Sequence, residues 1–242
     1  MVGKAVAAGF SLTENIISDP QYNNITVADV CNVNPDAIFV CVPTPTDDSN
    51  YQLLKDVLLE IKNCNYTGLT VVKSTVLPNH IEEFDVLYNP EFLSRATSND
   101  DFINPPMLII GGDRGDELLE LYKKYSKVKT NNIFLVDVKT ASMLKYTMNS
   151  FYALKVTFMN EIYDVTQDLG IDYTQFINIL AMHPWMGSHH FQVPGPDGQR
   201  GFGGPCLPKD TAALVKEYDV EILKKVLELN QIYRTPLVNV LQ

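Results

Sequence analysis

From residue 15 to residue 136 short β-rich runs alternate with helical stretches, and that alternation leaves few folds open. Asn15-Ile-Ile-Ser18, Ala37-Ile-Phe-Val-Cys-Val42, Leu69-Thr-Val-Val-Lys-Ser74, Asp85-Val-Leu-Tyr88 and Met107-Leu-Ile-Ile110 are short, apolar and largely β-branched, as buried strands are. Tyr51 to Lys62 and Asp116 to Tyr125 carry helical periodicity between them. Strands that alternate with helices in this way predict an α/β domain built on a mostly parallel, doubly wound sheet.

Beyond that the pattern changes. Thr140 to Leu169 contains neither proline nor glycine, with Thr140 as the expected N-cap and Gly170 as the C-cap. Such a helix is about 45 Å long, enough to join two domains. Shorter helices are expected over 173–182, 208–218 and 220–234, with a Gly/Pro-rich loop at 184–205. The reading is therefore a sheet domain over 1–137 and an all-helical domain over 138–242.

The formal net charge of −10 argues against nucleic acid or an anionic membrane as partner. No apolar run is long enough to span a bilayer, and the first residues do not read as a secretory signal. Cys31, Cys41, Cys64 and Cys206 lack close pairing or metal-ligand spacing, which suits reduced thiols in a cytoplasmic protein with no metal site. His189-His190 lacks further partners in sequence and does not change that expectation.

The chemistry concentrates in Gly201-Phe-Gly-Gly-Pro-Cys-Leu-Pro-Lys-Asp210. Glycines let backbone approach a ligand closely. A helix starting near Pro208 puts Cys206 just before its N-terminus, where the dipole favours a thiolate, a covalent nucleophile for aldehydes and thioesters. Lys209 and Asp210 follow at once. The segment resembles the active-site motif of the UDP-glucose/GDP-mannose dehydrogenase family, roughly G-[FY]-G-G-x-C-[LF]-x-K-D. The resemblance extends from Gly3 to about Leu229. It implies a Rossmann-like NAD-binding domain followed by an all-helical central domain.

On that resemblance the opening Met1-Val-Gly-Lys-Ala-Val-Ala-Ala-Gly-Phe10 is a dinucleotide fingerprint without its first strand and first two glycines. Gly3 matches the third glycine, which allows close helix–strand packing. Asp19 matches the acidic residue on the adenosine ribose, as expected for NAD rather than NADP. The missing strand would lie mid-sheet, and unpaired backbone there costs about 1–3 kcal/mol per group. A longer product in which Met1 is internal is the expected explanation; the alternative is a chain truly this short, whose first domain is compromised or patched by another segment.

Val42-Pro-Thr-Pro45 resembles the family's segment against the dinucleotide, which makes Val42 and Thr44 cofactor contacts. Ser74 and Thr75, in Lys73-Ser-Thr-Val76, end a strand where α/β sheets bind ligands. The resemblance has Thr75 bind cofactor and hold the hydrolytic water. Asn89-Pro-Glu-Phe-Leu93 is the second specific match. A glutamate beside aromatic and proline residues is expected to be desolvated and suited to proton transfer, and the family uses Glu91 so, with Phe92 and Leu93 touching substrate. A second glutamate that usually follows is replaced by Ser94-Arg-Ala-Thr97. Lys145 and Asn149, four apart, share one helix face. The family places that pair in its active site, Lys145 on an oxyanion and Asn149 on substrate or water.

The resemblance thus implies four-electron oxidation of a nucleotide sugar by NAD. Cys206, Lys145, Asp210, Glu91, Asn149 and Thr75 are the catalytic candidates. Gly203 and Gly204 join the substrate contacts, Lys209 joins the cofactor contacts, and Arg200 is a candidate diphosphate contact. A homodimer through the helical domain is expected. Full-length members continue into a third, nucleotide-binding domain; the compact form resembles short dehydrogenases of the family carried by bacterial viruses, in which uridine recognition is expected to be missing or supplied differently. Two other readings stay open. One is a non-catalytic remnant that binds a nucleotide sugar or oligomerises; the other is a lysine-dependent hydroxyacid dehydrogenase, which would not need Cys206.

Overall fold

A computed structural model describes residues 1–44, 51–94 and 96–235. Two compact units divide the chain, one from Met1 to Lys145 and one from Tyr146 onward. In the first, helices α1 (Val2–Gly9) and α2 (Val27–Asn32) precede strand β1 (Ala37–Val40). Then come α3 (Gln52–Asn63), β2 (Leu69–Val72), α4 (Pro78–Ile81), β3 (Leu87–Tyr88), α5 (Ser98–Ile103), β4 (Leu108–Gly111), α6 (Gly115–Tyr125) and β5 (Ile133–Val136). The strands lie side by side in sequence order. All pairs are parallel except β3–β4, which meet antiparallel at Tyr88 and Gly111.

Alternation along each strand sorts the core into two layers, because successive side chains leave opposite faces of a sheet. Leu69, Val71, Leu87, Leu108 and Ile110 pack with Ala5, Val6 and Phe10 of α1 and its end, Phe102 of α5, and Leu118 and Tyr122 of α6. Val40, Val72, Tyr88 and Ile109 pack on the other face with Cys31 of α2, Leu54 and Ile61 of α3, and Ile81 of α4. Both faces are covered, so the sheet is doubly wound. This is the expected α/β architecture, with a mixed rather than wholly parallel sheet.

Three expectations are corrected. Asn15–Ser18 is not a strand. Among the described residues the segment pairs with no strand, and the outer side of β1 carries none. Side chains serve its backbone instead: Asn23 Nδ2 donates to Ile17 O at 2.8 Å, while Ile16 and Ile17 stay about half exposed, at 47% and 48%. Ile133–Val136, not singled out by its composition, is the strand that extends the sheet beside β4. The long helix begins before Thr140: α7 (Val138–Asp168) follows Asp137, whose carboxylate accepts from Thr140 N at 2.8 Å and Thr140 Oγ1 at 2.6 Å. Asp137 thus does the capping that Thr140 was expected to do. At its other end Gly170 takes φ +68° and Ile171 N reaches back to Thr166 O at 2.9 Å, the glycine-ended stop expected there.

In the second unit, α8 (Tyr173–Leu180), α9 (Leu207–Tyr218) and α10 (Glu221–Arg234) follow α7. Asp172 caps α8 by accepting from Thr174 N and Gln175 N.

The end of β4 runs close under the start of α7. A Cβ on Gly111 would lie 2.9 Å from Ala141 Cβ and 3.0 Å from both Asp137 O and Val138 Cα. Because two of these atoms are backbone, relief requires the helix itself to move. Gly111→Ala is expected to destabilise by about 1–3 kcal/mol, seen as a lower urea midpoint with unchanged slope. An unshifted midpoint would show that the contact yields freely.

Candidate active site

In the sheet unit the candidates gather at the carboxyl ends of β1, β2 and β3, where open α/β sheets receive ligands. Ser74 Oγ donates to Val42 O at 2.7 Å, tying the ends of β1 and β2 together. Thr75 and Thr44 are half-buried alongside them in sequence, while Pro45 lies outside the described residues. The hydroxyls of Thr44 and Thr75, both only half-buried, are groups of the kind that bond a dinucleotide, so the residues present are compatible with NAD.

Gly3, on α1, gives a different result from the expectation. A Cβ there would meet Cys41 Cβ at 3.7 Å, an ordinary contact, so packing alone does not demand glycine. The close approach occurs at Gly9, where a Cβ would fall 2.1 Å from the Phe102 ring. Asp19 closes its own turn, with Oδ1 accepting from Gln21 N at 3.0 Å.

Asn89–Leu93 leaves β3 as a loop folded on its own glutamate. Glu91 Oε2 accepts from Leu93 N at 2.6 Å, and Oε1 lies 3.3 Å from Lys145 Nζ. The two side chains are only 10% and 5% exposed, respectively. Lys145 also donates to Glu91 O, and its ammonium stands 5.1 Å from the centre of the half-buried Phe92 ring. The structure therefore joins Glu91, Phe92 and Lys145 into one desolvated ion-pair cluster. Leu93 is half-buried at its edge.

Beneath this loop lies a group the motifs did not single out. Lys73, the residue after β2, is 4% exposed and donates to Asn89 Oδ1 at 2.8 Å and Asn89 O at 3.0 Å. Tyr122 Oη donates to the same Oδ1 at 2.6 Å, and Asn89 Nδ2 donates to Ile109 O at 2.6 Å. Burial holds the Lys73 ammonium down at about 8, against which the Glu91 carboxylate acts. Burial also pushes the Cys41 thiol up to about 11 and the Tyr122 phenol well above its usual range. The available signal was a lysine closing the apolar run Leu69-Thr-Val-Val, where a charge cannot be left without partners.

In the helical unit Cys206 is exposed and occupies the N-cap of α9, so the thiol sits at the positive end of that helix. Asp210, one turn on, is 1% exposed. Its carboxylate accepts from Asn149 Nδ2 on one oxygen and from Lys209 Nζ, at 2.6 Å, on the other. Asn149, Lys209 and Asp210 thus form a second cluster within this unit.

The glycine loop before Cys206 is shaped by α10. Asn230 Oδ1 accepts from Phe202 N at 2.7 Å and its Nδ2 donates to Phe202 O at 3.0 Å. A Cβ on Gly203 would lie 2.7 Å from the Arg234 guanidinium, which itself reaches Gly201 O and Asp197. Gly201 and Gly204 take φ +69° and +76°. Asn230 and Arg234 are organisers that the loop's own motif does not announce. Arg200 is turned inward, with bonds to Asn160 and to Asp164 Oδ2 at 2.7 Å and its guanidinium 4.5 Å from the Tyr233 ring centre.

Among the described residues no group of three or more His, Cys, Asp or Glu could hold a metal ion, and no helix is long and apolar enough to cross a membrane.

Comparison with known proteins gives a consistent picture. Residues 13–129 match the NAD binding domain of the UDP-glucose/GDP-mannose dehydrogenase family, and residues 139–232 match its central domain. UDP-glucose 6-dehydrogenase of Rickettsia conorii is 31% identical over 218 residues, covering 82% of this chain and 49% of that protein. GDP-mannose 6-dehydrogenase of Pseudomonas aeruginosa is 32% identical over 220 residues, covering 78% and 49%. A solved UDP-glucose dehydrogenase from the archaeon Pyrobaculum islandicum superposes with a TM-score of 0.72 at 28% identity, covering 86% of this chain and 52% of that one. The chain spans about half the length of the curated relatives it matches.

Proposed function

Since the chain belongs to the UDP-glucose/GDP-mannose dehydrogenase family, we propose that it takes part in NAD-dependent, four-electron oxidation of a nucleotide sugar, with UDP-glucose the substrate to try first. The observation that carries this reading is the desolvated Glu91–Lys145 pair in a chain that also exposes Cys206 at a helix N-terminus. The chemistry that NAD supplies when bound is acceptance of a hydride at each of two oxidations.

The chain's residues do the rest. The Cys206 sulfur attacks the aldehyde made by the first oxidation, forming a C–S bond and an alkoxide whose charge Lys145 offsets. Removal of hydride from that adduct leaves a thioester. Water then adds to the thioester carbonyl, the C–S bond breaks, and thiol and carboxylate are released. Glu91, Thr75 and Asp210 are assigned to hold and deprotonate that water. Asn149 presents its amide to substrate while bonded to Asp210. Per sugar, one alcohol, one water and two NAD⁺ become one carboxylate, two NADH and three protons.

Val42, Thr44, Ser74 and Thr75 are the assigned cofactor contacts, with Gly3, Asp19 and Lys209 beside them; Phe92, Leu93, Gly203 and Gly204 are assigned to substrate. A homodimer through the helical unit is part of the proposal. Its support is a row of half-exposed apolar residues seven apart on α7: Phe151, Phe158 and Val165, at 58%, 51% and 51%. The test is NADH formation by the purified chain with UDP-glucose and, separately, GDP-mannose. Two NADH per sugar consumed is the expected stoichiometry; one per sugar, or none with either, rejects the reading.

A further inference from the structure

Lys73 is a cation in a place that penalises it. Its ammonium is buried, and among the described residues its hydrogen bonds both go to one neutral residue, Asn89. An ammonium removed from water without a contacting carboxylate is strongly penalised. The arrangement around it is unusually complete. Asn89 accepts from Lys73 on β2's end and Tyr122 on α6, donates to Ile109 on β4, and bonds through its own N–H to Val72 O at 2.9 Å. Three elements, β2, β4 and α6, therefore converge on the residue from which the Glu91 loop departs, only two positions before the glutamate.

We propose that Lys73 is a positioning residue for Glu91: its buried ammonium clamps Asn89 and so fixes where the Asn89–Leu93 loop leaves β3 and presents its carboxylate. The inference rests on Glu91 being the proton-transfer group proposed above. The clamp acts through charge as well as shape. A protonated lysine makes stronger, charge-assisted bonds to both Asn89 oxygens, and its field reaches Glu91. The groups that face it are Cys41 from the end of β1, Glu91 from the loop, Lys145 from α7, and Tyr122 from α6 by way of Asn89. Asp101 of α5 lines the same cavity. Cys41, held up at about 11, and Tyr122, higher still, do not change charge where Lys73 does.

The test compares kcat and KM of the wild type with those of Lys73→Met across pH. Expected is a kcat at least about tenfold lower in the variant at neutral pH, with KM within about twofold. That ratio of wild type to variant should shrink as pH rises through about 8, where the wild-type lysine loses its proton. A ratio near one at every pH, or a deficit that does not change with pH, overturns the proposal, the latter by reducing Lys73 to a structural part.

A second measurement needs neither a foldable variant nor turnover. The backbone amide of Leu93, which donates to Glu91 Oε2, reports the loop directly by NMR of the intact chain. Its resonance should move between about pH 6.5 and pH 9.5 with a midpoint set by the lysine, and a flat response rejects the clamp. Should the wild type oxidise no nucleotide sugar, the functional reading fails while this titration still decides the positioning.

Discussion

Cys206→Ser is expected to lower nucleotide-sugar-dependent NADH formation by at least about 10³-fold, because serine oxygen is a far weaker nucleophile at neutral pH than a thiolate. Without capture the aldehyde accumulates no further than the unfavourable first equilibrium allows, and the second equivalent of NADH is not made. The fold should not notice. Cys206 is exposed at the start of α9, and substitutions at such positions usually shift stability by less than about 0.5 kcal/mol. Activity and thermal unfolding measured on the same preparation separate the two effects. A serine variant that turns over within about tenfold of wild type would remove the covalent step. It would favour instead a lysine-dependent hydroxyacid oxidation, in which Cys206 has no part.

Lys145→Met should cost both activity and stability. The methionine fills the space of the lysine stem but leaves the Glu91 carboxylate, 10% exposed, without the cation 3.3 Å from it. Breaking one side of a buried pair typically costs about 3–5 kcal/mol, for a chain of this size roughly 6–20 °C in Tm. The bond from Leu93 N remains and keeps one carboxylate oxygen partnered, so a loss in the lower half of that range is expected. Adding Glu91→Gln to Lys145→Met removes the stranded charge and should recover at least half of the lost stability without recovering activity. If the single variant unfolds within about 1 kcal/mol of wild type, the pair does not hold the loop.

The sheet was legible because its signal is local: apolar, β-branched runs bounded by turn residues, with helical periodicity between. The errors fall where a neighbour decides. Asn15–Ser18 has the composition of a strand, but a strand exists only with a ladder partner, and none adjoins it among the described residues. Asp137 rather than Thr140 caps α7 because an aspartate three residues earlier already accepts from the Thr140 amide, so the helix is under way before Thr140 is reached.

The site shows the same division. Cys206, Glu91, Lys145 and Asn149 stand in dense, recognisable motifs. What a one-dimensional pattern could not supply is which distant residues support them. Lys73 meets Asn89 across 16 positions, Tyr122 across 33, and Asn230 holds Phe202 across 28. Gly3 is the instructive opposite, since its motif is clear and yet the contact that forbids a side chain is at Gly9.

Helix α7 carries Lys145 and Asn149 on a single uninterrupted rod. A rod of this kind is a ruler with a phase: each residue advances it by about 1.5 Å and turns it by about 100°. The chain can therefore absorb insertions in its loops far more readily than between these two side chains. One residue added there would swing Asn149 a quarter-turn or more away from the lysine's line and pull it off Asp210, even with every chemical group retained. Deleting four residues N-terminal to Lys145 would nearly preserve the phase while shifting the rod along its axis by about a turn. Length variation in this stretch is thus constrained by angle before it is constrained by composition.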